Sequence, residues 1–468
     1  MVWGRKRKRF FLLSGILGLL LITLANFSPF LSVKAAEPKA MSPITTRPAQ
    51  ATAGCTKKSA SSNRYQITGN ANTVQWGFFS KKSPPVLAVQ SKDYVTMDLI
   101  THHAGDDYAR MIQGDPGIES IYRWTATEKG VSDRGPGVHI LTGPVYVCDA
   151  EPGDLLEVRI VDLKLKPSGN PRYPGKTFGS NAAAWWGFHY KNLSQEPKPR
   201  EVITIYEMDA TGKQQWATAA YSFRWTNQTT PDGKSHGTID YPGIIVDHGK
   251  VKETMDVLNG VKVPLRLHIG AMGLAPKEAD IVNSIPPGYF GGNIDDRHVA
   301  AGTSMYYPVS VPGALFSAGD AHATQGDSEL NGTAIETSLV GTFQFVLHKK
   351  AALTGTILDK VDYPLLETPD SWIVHGFTFR NYLAELGPEA QTKIFQMSSL
   401  DPALKNCSTQ LRDFLMNGMN LTEDEAYSLM TVSGDFAITQ VVDANWGVHG
   451  IIPKAMFEKK RIKSKPIA

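Results

Sequence analysis

Short apolar runs broken by turn residues dominate the chain up to its last third. In residues 74–99, Pro84-Pro85-Val86-Leu87-Ala88-Val89 is followed by the turn Ser91-Lys92-Asp93 and then by Tyr94-Val95-Thr96-Met97-Asp98-Leu99. The same order, a turn and then an alternating stretch, returns at Glu151-Pro152-Gly153-Asp154 before Leu155-Leu156-Glu157-Val158-Arg159-Ile160. A weaker echo is Val311-Pro312-Gly313 before Ala314-Leu315-Phe316, and Ser304-Met305-Tyr306-Tyr307-Pro308-Val309 has the same strand-like pattern. Period-two alternation after a turn predicts half-buried strands. The last third reads differently. Thr422-Glu423-Asp424-Glu425 is a capping box, Ala426, Leu429, Met430 and Val432 supply an apolar face, and Gly434 can end the helix. Residues 381–397 and 409–416 are two further helical candidates. The expected fold is mainly β, of α+β type: sandwich- or barrel-like sheets with a few C-terminal helices packed on one side.

Composition changes this picture little. The chain has 468 residues, 42% hydrophobic and 20% charged, which excludes a disordered chain, a collagen-like repeat and a small disulfide scaffold. The formal charge of +3 hides an asymmetry. Residues 1–35 carry Arg5, Lys6, Arg7, Lys8, Arg9 and Lys34 and no acid, so the remainder is net acidic. A nucleic-acid partner is therefore not expected, because phosphate binding needs a clustered basic excess.

The basic start, the apolar run over residues 10–33 and the small residues around Ala35 have the layout of a secretory signal peptide. An uncleaved membrane anchor is the alternative, and the membrane would be met only through this segment. Either way the body is expected outside the cytoplasm, secreted or periplasmic. Residues 36–64 read as a disordered linker and residues 65–458 as the folded region. Residues 459–468, with Lys459, Lys460, Arg461, Lys463 and Lys465, read as a solvated basic tail. Cys55, Cys148 and Cys407 fit no zinc motif and allow at most one disulfide. Cys148 ends the strand-like Val145-Tyr146-Val147 and reads as a structural thiol.

Candidate chemistry concentrates in Gly291-Gly292-Asn293-Ile294-Asp295 and in Gly319-Asp320-Ala321-His322-Ala323-Thr324-Gln325-Gly326-Asp327-Ser328-Glu329. Both are expected in loops near strand ends, where sites usually lie. Asp320, His322, Asp327 and Glu329 are metal-competent. Asp320 and His322, two apart, share a face of an extended chain. A polar surface turn is the competing reading. His102 and His103, followed by Asp106 and Asp107, and His139 are further candidates. No Gly-x-Ser-x-Gly elbow, phosphate loop or His-Glu-x-x-His is present.

These segments resemble the acetamidase/formamidase family, whose members hydrolyse short aliphatic amides to a carboxylate and ammonia. The resemblance runs over residues 73–457. It includes Gln75-Trp76-Gly77-Phe78-Phe79, His139-Ile140-Leu141-Thr142-Gly143-Pro144 and Ile269-Gly270-Ala271-Met272-Gly273-Leu274-Ala275-Pro276. It is strongest over 291–336, ending in Asn331-Gly332-Thr333-Ala334-Ile335-Glu336, and continues to Gln440-Val441-Val442-Asp443. Residues 65–458 would then be one acetamidase/formamidase-like domain. Ser328 stands where the family usually has Gly. Residues 101–124 and an insert over 167–249 look peculiar to a subgroup, and Trp185, Trp186, Phe188, Trp225 and Tyr241 in that insert could reshape the substrate pocket.

Amide hydrolysis needs a nucleophile, stabilisation of an oxyanion and a proton for the leaving amine. With no activated Ser or Cys in sight, a divalent metal, most plausibly Zn²⁺, is the expected cofactor. The expected ligands are His139, Asp295, Asp320 and His322, with His102 and His103 as further candidates. Glu329 or Glu336 is expected to act as general base and then acid. Asn293 and Gln325 are expected to bind the substrate amide. A homo-oligomer remains an option.

Overall fold

The computed structural model describes residues 42–44, 55, 62–126, 134–189, 201–230, 233–240, 243–460 and 462–466. Residues 1–35, the segment read from the sequence as a signal peptide, lie outside them.

Two large sheets carry the fold. One has ten strands, with Tyr94–Leu99, Leu339–His348, Leu155–Leu165 and Ser304–Pro308 at its centre. The other has twelve, and its central path runs through Lys176–Ala183, Ile335–Thr337, Phe316–Thr324, His268–Gly273 and Gly291–Asn293. Ile140–Val147 also pairs with Phe316–Thr324. The main core lies between the sheets: Val95 and Met97 from the first meet Ile269, Phe316 and Ala318 from the second. Phe316 stands 5.8 and 5.0 Å from the rings of Phe343 and Phe345. Alternation along Tyr94–Leu99 and Leu155–Leu165 feeds this interior, as the sequence pattern predicts.

The expected sandwich with late helices is the fold found. The helix Leu400–Met419 contains the stretch 409–416 and lies on the outer face of the first sheet, where Leu411 and Leu415 meet Trp372, Val374 and Ile452. Close approach there requires glycine: a Cβ on Gly376 would sit 2.1 Å from the backbone nitrogen of Cys407. Thr422 caps Glu423–Ser433 with both bonds of the capping box, although Val432 faces solvent. Residues 381–397 do not form one helix. They break into the short turns Tyr382–Glu385, Gly387–Glu389, Ala390–Lys393 and Ile394–Gln396. Gly387, at φ +67°, and Pro388 interrupt the pattern there.

Four other expectations need correcting. Ala314 and Leu315 do not open a strand; both are left-handed, and the strand starts at Phe316. Cys148 is not a free thiol but is bonded to Cys55. Within the stretch read as a linker, Ser42–Ile44 pairs with Arg64–Ile67. The basic tail is also not wholly solvated: Lys465 lies 2.6 Å from Glu367, and Ile462 packs on the helical layer.

A buried ion group braces the first sheet beside its core. Burial disfavours ionised Glu157, but His348 at 2.9 Å and Arg159 at 2.6 Å outweigh this and bring its pKa down to about 2. The unfolded value is about 4.3, so the stabilisation is complete above about pH 4.3 and disappears as pH falls towards 2. Urea midpoints measured over that window should fall with pH in the wild type and fall less steeply in Glu157→Gln. Equal slopes would show that Glu157 is not a source of acid sensitivity.

Candidate active site

Phe316–Thr324 runs through the middle of the second sheet, not through a loop. Ala318, Ala321 and Ala323 face the core between the sheets. Asp320 and His322 project to the opposite face, as their spacing predicts. The backbone is not regular there: Asp320 has φ +52°, and the register shifts on either side, between Phe316 and Ala318 and between His322 and Thr324. Asp295 and Glu329 are also left-handed, at φ +53° and +48°. Three non-glycine residues in that region at one place are a mark of a site in which geometry overrides backbone preference.

Neighbouring elements bring the other groups to Asp320. His102 comes from the 3₁₀ helix His102–Asp107, with Nδ1 3.8 Å from Asp320 Oδ1. His139, just before Ile140–Val147, has Nε2 3.7 Å from Asp320 Oδ2. His322 Nε2 lies 3.5 Å from Asp320 Oδ2, 3.8 Å from Asp295 Oδ1 and 3.2 Å from Glu336 Oε1. Glu336 stands directly opposite His322 in the sheet ladder. Three overlapping donor sets result: His102, His139 and Asp320; Asp320, His322 and Glu336; Asp295, His322 and Glu329. All of these side chains are buried.

The hydrogen bonds behind His322 set its tautomer. With His268 Nδ1 donating to the Arg266 carbonyl (2.7 Å), its Nε2, which lies 3.0 Å from His322 Nδ1 and 3.2 Å from Gln325 Oε1, is left as the acceptor for the His322 N–H. Burial and the neighbouring His322 lower the pKa of His268 to about 3, so it stays neutral. The Nε2 lone pair of His322 is thereby aimed at three carboxylates, an arrangement that is repulsive unless a cation lies between them. A proton can play that part: burial opposes protonation of His322, but Glu336 and Asp320 outweigh it and raise its pKa well above the usual value. A metal ion is the other candidate, since a ligating imidazole commonly donates its second N–H to a fixed acceptor. Two further observations fit a metal. Buried Asp295 Oδ1, His322 Nε2, Glu329 Oε2 and Glu336 Oε2 have no hydrogen-bond partner. The donors are imidazole and carboxylate, the set that suits zinc and its neighbours.

Protonation is shared unequally. Burial works against Asp320, yet His139, His322 and His102 hold it well below the carboxylate range. Burial, and then the proximity of Asp443, push Asp295 well above it. Burial, and then Asp295, do the same to Glu329. Burial pushes Asp443 up as well, and Asp295 and Asp443 are neighbouring buried carboxyls whose titrations are best treated together.

Most of the expected residues therefore meet in one place, but not all in their expected parts. His103 lines the cavity and packs edge-on against His102, ring centroids 4.3 Å apart, yet it belongs to none of the three donor sets; its Nδ1 donates to Asp106 (3.2 Å). Gln325 does not line the cavity, because its amide nitrogen is bound to the Asp295 carbonyl at 2.7 Å. Asp327 faces solvent and pairs with Arg297. Asn293 lines the cavity, with a buried Oδ1 that lacks a partner.

Asp443 was not anticipated. It sits in the turn after Asp435–Gln440, its N–H bound by Gln440 Oε1 at 2.9 Å, and backbone bonds between Ser328 and residues 439 and 441 fasten this turn to the Glu329 loop. Asp296, beside Asp295, was also missed. It points away from the site, buried between His375 Nε2 (2.9 Å) and His298 Nδ1 (2.7 Å), and so anchors the backbone that presents Asp295.

The cavity over these groups has a volume of about 210 Å³. The insert extends the second sheet through Lys176–Ala183, Val202–Asp209 and Trp216–Arg224, and sets Trp185 and Trp186 on the cavity wall. Trp225 is instead bound to the His236 carbonyl at 3.1 Å, and Phe188 packs on Trp446. Tyr241 lies outside the described residues.

Comparison with known proteins agrees with this architecture. An acetamidase of Mycolicibacterium smegmatis is 30% identical over 234 residues, 44% of this chain and 55% of that protein. A formamidase of Methylophilus methylotrophus is 25% identical over 235 residues, 44% and 53% respectively. The chain thus spans about half the length of the curated relatives it matches. The fold is shared with the crystal structure of an acetamidase from Bacillus halodurans, at TM-score 0.56 and 21% identity, covering 84% of this chain and 99% of that one. It is shared also with an acetamidase from Yersinia enterocolitica, at TM-score 0.57 and 18% identity, covering 84% and 94%. The model of the Acetamidase/Formamidase family matches residues 135–280 and 278–459, which takes in His139, Asp295, Asp320, His322, Glu329, Glu336 and Asp443. On a match that spans well over half its length and nearly all of its site, the chain belongs to the acetamidase/formamidase family.

Proposed function

We propose that the protein is a metal-dependent amidohydrolase that converts linear carboxamides to a carboxylate and ammonia. The observation that carries this reading is the His322 lone pair aimed at Asp295, Asp320 and Glu336, among buried carboxylate oxygens without partners. When bound, a divalent cation such as Zn²⁺ supplies a water that ionises near neutral pH and polarises the amide carbonyl. His102, His139, Asp320 and His322 would hold it, with Asp295 or Glu336 completing the set. Glu329, whose affinity for a proton is raised by burial, acts in its ionised form: it accepts the proton of the attacking water and returns it to the leaving nitrogen. Asn293 Oδ1 accepts a hydrogen bond from the substrate N–H. Glu336 orients His322 across the ladder.

The test is ammonia release from formamide, acetamide and larger amides, paired with elemental analysis of the protein. Removing metal with a chelator should abolish turnover, and adding Zn²⁺ should restore it. Full turnover by metal-free protein would dispose of the metal-dependent mechanism.

Export belongs to the same proposal. The leader-like residues 1–35 support it, and so does the bond between Cys55 and Cys148, since disulfides persist mainly in oxidising compartments. Fractionation of producing cells with N-terminal sequencing of the mature chain checks this. Protein confined to the cytoplasm with residue 1 intact would refute it.

A further inference from the structure

The cavity is divided by chemistry. Its buried floor is ionisable: Asp320 is 3% exposed, Glu336 2% and Asp295 2%. Its outer wall is mainly apolar, formed by Val138, Trp185, Trp186, Ile285, Phe395 and Val442, with Asp240 and Thr333 as its polar members. Trp185 is 49% exposed and Phe395 40%, so large rings stand open to solvent where the floor reaches the outside. Exposed rings of this size around a cleft mark a binding surface, because their hydration is unfavourable. A one- or two-carbon amide would occupy the floor and leave this wall wet. An apolar cavity of about 150 Å³ is enough to take up benzene. The volume here is about 210 Å³, enough for a ring and a carboxamide together.

We propose that the preferred substrate is a primary amide whose acyl group carries an aromatic or similarly bulky apolar substituent, held by Trp185, Trp186 and Phe395. This rests on the hydrolytic reading above and specifies its substrate. The reaction is unchanged. A C–O bond forms from water to the carbonyl carbon, the C–N bond breaks, and nitrogen leaves as ammonia with the proton relayed by Glu329. The aromatic acid remains as the carboxylate. The substituent lies against the wall throughout, so it contributes to binding and places the carbonyl over the floor. Trp185 and Trp186 belong to the insert over 167–249, so the preference is a property of that insert.

The experiment compares phenylacetamide with acetamide on the full-length, metal-loaded protein. For the wild type, kcat/KM for phenylacetamide should exceed that for acetamide at least about tenfold, the scale on which an apolar pocket discriminates. Trp186→Ala should reduce this ratio by about the same factor. Trp185→Ala, at an open ring where folding is least at risk, should reduce it too. Calorimetric titration of Glu329→Gln with both amides reads affinity without turnover. Tighter binding of phenylacetamide with no hydrolysis by the wild type would keep the aromatic preference of the wall and defeat the hydrolytic reading. Hydrolysis of acetamide as fast as phenylacetamide, with the ratio unmoved by either Trp variant, would defeat this inference and leave the hydrolytic reading standing. Failure to bind either amide would defeat both.

Discussion

Glu329→Gln should lower turnover by about 10²- to 10⁴-fold, the usual contribution of a positioned acid–base group, while the protein keeps its bound metal. The two acids of the strongest sequence stretch differ in how they are engaged. Glu336 Oε1 accepts the Ala334 N–H at 3.1 Å and faces His322 Nε2 at 3.2 Å, so it is committed to holding the imidazole. Glu329 sits at the end of a loop with a left-handed backbone, and its Oε2 is buried without a partner. Burial and the nearby Asp295 favour its protonated form, so it can take up and release a proton under conditions in which an ordinary surface glutamate stays ionised. Gln keeps the size and loses the proton transfer. Glu336→Gln should instead weaken metal retention, with a smaller effect on kcat in metal-saturated protein. The check is kcat for ammonia release from each variant, measured beside metal content. Turnover retained by Glu329→Gln and lost by Glu336→Gln would exchange the two roles. Loss of metal from Glu329→Gln would make Glu329 a ligand.

What the chain discloses before folding depends on whether a feature is local. The strand pattern of Tyr94–Leu99 and Leu155–Leu165 is written in alternate residues, and the capping box of Thr422 and Glu425 in a spacing of three; both are present in the fold. Asp320 and His322 were legible because the pleat puts residues two apart on one face, even though the segment proved to be a central strand. Small alanines between them allow that. Ala318, Ala321 and Ala323 fill the core side, so a stretch that looks loop-like in composition can cross a sheet.

Asp443 could not be read in this way. It is one acid in a turn, and its meaning comes from Asp295, which only the fold brings to it. Gln325 misled for the converse reason: an amide near the site in sequence is consumed by the backbone of Asp295. His102 and His103 were a pair by spacing, but the 3₁₀ helix turns one ring to Asp320 and the other to Asp106. The charge network around Asp296 was likewise invisible, since His298, His375 and His449 come from separate elements.

Gly270→Ala should be at least as damaging to the site as loss of a ligand, although glycine offers no donor. Gly270 lies within His268–Gly273, the strand that runs beside Asp320 and His322. A methyl group there would fall 2.3 Å from Asp295 Oδ1, 2.4 Å from Asp320 Oδ2 and 2.6 Å from His322 Cε1. Each of these distances is far inside van der Waals contact, and none of the three groups is free to move away. Asp320 and Asp295 are held by left-handed backbone, and His322 by its bond to His268. The methyl group therefore pushes the donors apart and fills the point on which they converge. The two sheets pack through the opposite face of this region, where Ile269 and Met272 are buried, so the core is touched far less than the site. The expected result is folded protein, with a urea midpoint close to that of the wild type, that fails to retain metal and loses turnover by more than about 10²-fold. A Gly270→Ala protein that binds metal normally and hydrolyses amides would mean that the reacting centre is not where these side chains meet.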